Sequence, residues 1–125
     1  MQKVKRLSSI PADFNHDGRT DLLVASVGGG PLRLFHNQMP SSNGRIVLKL
    51  VGTESNRSGI GSRIVLKLGD RQVVRDYFRQ NGFMGSGPLQ FQIGTGTAKQ
   101  IDELSVRWPS GKTQVFKDLP VDRSI

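Results

Sequence analysis

The chain of 125 residues carries 18 Lys and Arg against 10 Asp and Glu, a formal charge of +8 with a pI near 10.6. That length admits one domain, or one domain with a fragment of another. The absence of cysteine excludes disulfides, thiolate catalysis and cysteine-ligated zinc, and no stretch approaches the ~18 apolar residues of a membrane span.

In chain order, the start Met1 to Arg6 is basic but no apolar region comes after it, so it does not read as a signal peptide. Next comes a nine-residue window with Asp13, Asn15, Asp17 and Asp21 at positions 1, 3, 5 and 9, and Gly18 at position 6. That spacing aims oxygen side chains at one point, as a hard cation with roughly 6–8 oxygen ligands requires. The Arg19 carbonyl supplies position 7, Gly18 supplies the bend, and His16, at an even position, should point away. The window predicts a Ca²⁺ site, against the alternative of an Asx-rich turn that merely joins two strands. It departs from the helix-flanked calcium loop at position 12, where Val24 stands in place of a bidentate glutamate.

Beyond the loop the chain is β in character. Residues 21–27 form a short apolar run closed by Gly28, Gly29, Gly30 and Pro31, and residues 32–36 read as a second strand. Residues 45–51 and 63–68 share the hexamer Arg-Ile-Val-Leu-Lys-Leu. Its period of two places Ile46, Leu48 and Leu50, and likewise Ile64, Leu66 and Leu68, on an inward face. Gly69 and Asp70 read as a hairpin turn into residues 72–78. Further strands are expected at 89–93, 101–108 and 113–117, the last two joined by a turn at Pro109, Ser110 and Gly111. The chain therefore reads as all-β, a sandwich or barrel.

Three segments then carry a resemblance: residues 50–64, residues 85–94 and residues 101–111. Their most specific strings are Asn56-Arg57-x-Gly59-Ile60-Gly61 and Val106-Arg107-Trp108-Pro109-Ser110-Gly111. Together they resemble the ASPIC/UnbV domain of the cartilage acidic protein family. In that family the domain comes after FG-GAP (VCBS-type) repeats, whose calcium loop the 13–21 window resembles. The resemblance implies a β-sandwich at residues 41–125, preceded at residues 1–40 by the end of a β-propeller-like repeat. It implies no enzyme activity, and a role in adhesion or binding at the cell surface or outside the cell. Only about half of a four-stranded propeller blade precedes the sandwich. The chain is thus expected to be the tail of a longer protein. Its strands 21–27 and 32–36 must then pair with the sandwich or with a second copy, a route to a homodimer.

Other signals have plainer readings. Gly111-Lys112-Thr113 lacks the glycine five residues upstream that a phosphate loop needs, because Val106 stands there. Gly59 and Gly94 read as turn glycines, and Ser86 lacks the spacing of a nucleophile elbow. His16 and His36 read as surface residues rather than a zinc or catalytic pair, and Trp108 as a core residue rather than a sugar platform. Arg45, Lys49, Arg63 and Lys67, with Arg71, Arg75 and Arg79 in the same parity, would form a basic stripe wherever their strands share a sheet. Such a stripe could attract anionic polysaccharide, lipopolysaccharide or, weakest for lack of aromatic interleaving, nucleic acid; it reads rather as a solvated face that keeps an edge-rich β protein soluble. The function read from the sequence is a non-catalytic, calcium-stabilised extracellular binding or adhesion module, with protein or polysaccharide as partner. Its rivals are a structural dimerising module without ligand and a hydrolase using Asp76, Asp102 or Glu103.

Overall fold

The computed structural model describes residues 5–27, 30–79 and 86–125, and among them every regular element is a β-strand. The basic start at residues 1–4, Gly28 and Gly29 of the glycine turn, and Gly85 lie outside the described residues. The chain divides into two units, Met1–Pro40 with Arg79–Pro88, and Ser41–Phe78 with Leu89–Ile125.

The first unit holds an antiparallel sheet in the order β1-β2-β3, formed by β1 (Lys5–Ala12), β2 (Asp21–Val27) and β3 (Arg33–Phe35). Strand β1 was not legible in the sequence, because Ser8, Ser9 and Pro11 break its alternation. Pro11 falls on β1, at the end of the described sheet order, where proline is tolerated when its nitrogen faces away from the ladder. Strand β2 pairs with β1 from Ala12↔Asp21 onward and with β3 through Leu22↔Phe35, Leu23↔Leu34 and Val24↔Arg33. The expectation that β2 and β3 must find partners in the sandwich or in another copy is thereby corrected. They lie side by side, and β1 takes the other edge of β2. Among the described residues this unit has three strands, and a four-stranded propeller blade is not shown.

The second unit is a β-sandwich. One sheet has the order β10-β4-β7, from β4 (Gly44–Lys49), β7 (Gln90–Gly96) and β10 (Arg123–Ser124). The other has the order β6-β5-β8-β9, from β5 (Arg63–Leu68), β6 (Arg71–Asp76), β8 (Gln100–Arg107) and β9 (Thr113–Pro120). Ile46 and Leu48 of β4 and Ile93 of β7 share one buried cluster with Ile64, Leu66 and Leu68 of β5 and Ile101, Leu104 and Val106 of β8. Each such side chain contributes about 1.5–3 kcal/mol by leaving water. The inward faces read from the two-residue period are therefore the ones that bury. Strand β10 adds to β4 in parallel, with Ile125 N donating to the Val47 carbonyl at 2.9 Å and Lys49 N to the Ile125 carbonyl at 2.9 Å. Two residues carry no readable period, so this strand too was not visible in the sequence.

The two copies of the hexamer lie in different sheets, one on each side of the core, so their basic residues face outward on opposite sides of the sandwich. The register sets Arg71 opposite Leu68 and Arg75 opposite Ile64, on the core side of edge strand β6 and not beside Arg63 and Lys67. Arg63 lies 3.3 Å from Asp76, and Lys67 lies 2.9 Å from Glu103. A single basic stripe does not assemble; period alone fixes which face a residue takes, not which sheet its strand joins.

Candidate functional site

The window 13–21 is the connection between β1 and β2, and its oxygens fold the loop back on itself. The two Asp13 carboxylate oxygens accept from Asp17 N (3.1 Å) and Gly18 N (2.8 Å). Asn15 Oδ1 accepts from Asp17 N at 3.2 Å, and Asp17 Oδ1 from Arg19 N at 2.8 Å. The chain can turn this sharply because Gly18 takes φ 89° and His16 takes φ 59°, a region glycine enters without steric cost. Gly18 thus supplies the bend that the sequence required of it.

Asp21 opens β2 and is 2% exposed. Its oxygens accept from Asn37 N (2.9 Å) and Phe14 N (3.1 Å), tying the start of the loop to the residues after β3. His36 Nδ1 lies 3.6 Å from the same carboxylate. The Asn37 N–H holds the Asp21 carboxyl below its ordinary value of 3.8; burial opposes this, and the Phe14 N–H assists it. Asp17 is lowered likewise, first by the Arg19 N–H and then by the Asn15 amide. Both side chains are therefore held as anions, the state a cation site needs.

The donor set is all oxygen, which suits a hard cation. Each carboxylate offers about four lone-pair directions, so the backbone bonds above do not exhaust them. The present arrangement is not drawn to a point, however. Among the described residues no three of the His, Asp and Glu side chains come together as a metal cluster. Instead, the Arg19 guanidinium lies 2.7 Å from Asp17 Oδ2, on the carboxylate at position 5, and Asn15 Nδ2 donates to the same oxygen at 2.9 Å. Among the described residues neither His16 nor His36 belongs to a group of three or more His, Asp or Glu that could hold a metal.

The second unit brings the two specific strings together at one end of the sandwich. Asn56 organises the first: its Oδ1 accepts from Ile60 N at 2.9 Å, and its Nδ2 donates to the Ile60 carbonyl at 2.8 Å. Gly59 comes next with φ +68°, and a Cβ there would stand 2.7 Å from Leu50 Cβ and 3.3 Å from Trp108 Cζ3. The second string turns back on itself through Gly111 N to the Trp108 carbonyl (2.9 Å) and Trp108 N to the Lys112 carbonyl (2.8 Å). The loops are cross-linked where Ser110 N donates to Ser55 Oγ at 3.2 Å and Lys112 Nζ meets Glu54 Oε1 at 2.6 Å. Between them is a cavity of about 270 Å³. Trp108 both packs against the core and lines this cavity, so the core reading of it is half the story. The partners Glu54 and Lys112 are 58 residues apart, and no local pattern in the sequence announces such a pair.

The carboxylates considered for hydrolysis are each engaged in structure. Asp76 faces Arg63, Glu103 faces Lys67, and Asp102 Oδ2 accepts from Gly69 N at 2.6 Å. Gly69 is the first residue of the two-residue turn between β5 and β6, as expected for a tight hairpin.

The family model described as ASPIC and UnbV matches residues 52–125, and the chain belongs to that family. The match spans the loop of Asn56, the cavity lining apart from Val51, and most of the sandwich. Comparisons with curated proteins and with solved structures give no match.

Proposed function

We propose that this member of the ASPIC and UnbV family is a non-catalytic binding module, stabilised by one Ca²⁺ at the 13–21 loop and working in adhesion outside the cell. The ion would be held by Asp13, Asn15, Asp17 and Asp21 with the Arg19 carbonyl. The observation that carries the reading is the folded loop itself, bent at Gly18 with its Asp17 and Asp21 carboxylates kept ionised. Arg19 supports it from the other direction: the loop already attracts a positive group to Asp17. A bound ion would take over that role and release the guanidinium. Extracellular modules can use weak sites because calcium is plentiful there. The engagement of Asp76, Asp102 and Glu103 by structural partners supports binding over hydrolysis.

Thermal unfolding with chelator and with millimolar calcium tests the metal half. An ion that binds only the folded loop adds RT ln(1 + [L]/Kd), about 2.7 kcal/mol at a hundredfold excess over Kd. The midpoint is expected to rise with calcium in the wild-type chain and to stay put in Asp13→Ala. Removing the competing cation in Arg19→Gln, which keeps the position-7 carbonyl, is expected to tighten calcium binding. Identical midpoints with and without calcium in the wild-type chain would refute the site.

A further inference from the structure

We infer that the cavity beside Trp108 is a binding site for a neutral saccharide, sized for a single sugar ring or the end of a short glycan. The inference rests on reading the sandwich as a binding module and is independent of the calcium loop. Its volume of about 270 Å³ falls just under the ~300 Å³ at which pockets for larger organic ligands begin. That space admits one pyranose ring.

The lining has the composition such a ring needs. Trp108 supplies an aromatic surface for the C–H face of a sugar, and Thr53, Ser55 and Ser110 supply three hydroxyls. Gln114 accepts from Trp108 Nε1 at 2.8 Å through its carbonyl oxygen, which leaves its amide N–H groups to donate to a ligand. Ser55 uses an oxygen lone pair on Ser110 N and retains its own proton.

Charge decides between a neutral and an anionic ligand. The chain as a whole carries +8, yet among the described residues the ionic groups lining this cavity are Glu54 and Lys112, paired with each other at 2.6 Å. Their net charge is zero, so the cavity offers an anion no excess positive charge. The pair still presents both an acceptor and donors to hydroxyl groups. Cross-links between the two loops hold the site formed before a ligand arrives, which lowers the entropic cost of binding.

The test is an amide and indole NMR titration of the full chain with neutral gluco-, manno- and galacto-oligosaccharides, and with a heparin hexasaccharide as the charged comparison. It is run in calcium and again in chelator. The expected result is saturable movement of the Trp108 indole N–H and of the Ser55 and Ser110 amides with at least one neutral series, in both conditions. Thr53→Val and Ser110→Ala, each at the exposed rim, are expected to weaken that binding at least tenfold while leaving the amide spectrum of the sandwich intact. The proposal is overturned if no neutral sugar moves these signals at millimolar concentration, or if heparin moves them and neutral sugars do not. It is also overturned if both variants bind as the wild type does. Loss of the calcium response with sugar binding retained would remove only the metal reading.

Discussion

Replacing Gly59 with alanine tests the packing that joins the two specific loops. The residue sits at φ +68°, and an added Cβ would lie 2.7 Å from Leu50 Cβ, 3.2 Å from Leu50 Cδ1 and 3.3 Å from Trp108 Cζ3. The substitution carries two costs. An L-residue in the left-handed region loses roughly 1–2 kcal/mol, and overpacking against side chains that cannot withdraw costs a further ~1–3 kcal/mol. Gly61 separates the two, because it has φ +90° but its Cβ would meet only Pro109 Cγ, at 3.5 Å, an ordinary contact. Gly61→Ala should therefore carry only the conformational cost, about 1–2 kcal/mol, and Gly59→Ala a total of about 2–5 kcal/mol. In a domain of this size that total lowers Tm by roughly 8 °C or more. Urea denaturation of both variants measures the difference. Equal destabilisation of the two would show that Gly59 is not wedged against Leu50 and Trp108, and the reasoning would fail.

Leu66 lies at the centre of the sandwich and is fully buried, so Leu66→Ala should cost about 3–5 kcal/mol with an unchanged denaturant slope; a loss below about 1 kcal/mol would place the core elsewhere. Acid should weaken the N-terminal unit in chelator. The folded Asp21 carboxyl lies below its ordinary 3.8, so the unfolded chain takes up the proton first, and the stabilisation, complete above that value, is lost as pH falls through the folded value. Thermal scans across that range should show the loss in the wild type and a flatter response in Asp21→Asn; parallel curves would remove the role given to the Asn37 and Phe14 hydrogen bonds.

Where an apolar run or a clean alternation is bounded by turns, the sequence was enough: strands 21–27 and 63–68 form with the bounds read from it. It failed where local chemistry hid a strand, as at Ser8, Ser9 and Pro11 of β1, and where β10 was too short to show a period. Pairing was harder still. The duplicated hexamer announced two half-buried strands, but nothing local told that β4 joins β7 and β10 while β5 joins β6 and β8. The basic stripe was lost to that ambiguity. The 13–21 loop was legible because its residues are adjacent in sequence, and so was the turn at Gly18. The Arg19–Asp17 contact depends on a side-chain rotamer, which spacing does not encode. The cavity was not legible, because Glu54 and Lys112 meet only after the sandwich has formed.

The central claim is a calcium-binding loop, and calorimetric titration of the chelator-treated chain with calcium tests it most directly. The account predicts saturable binding of one ion per chain, lost in Asp13→Ala and in Asp17→Ala and not reproduced by equimolar magnesium. Absence of saturable binding at millimolar calcium, or binding unchanged in both variants, would contradict it.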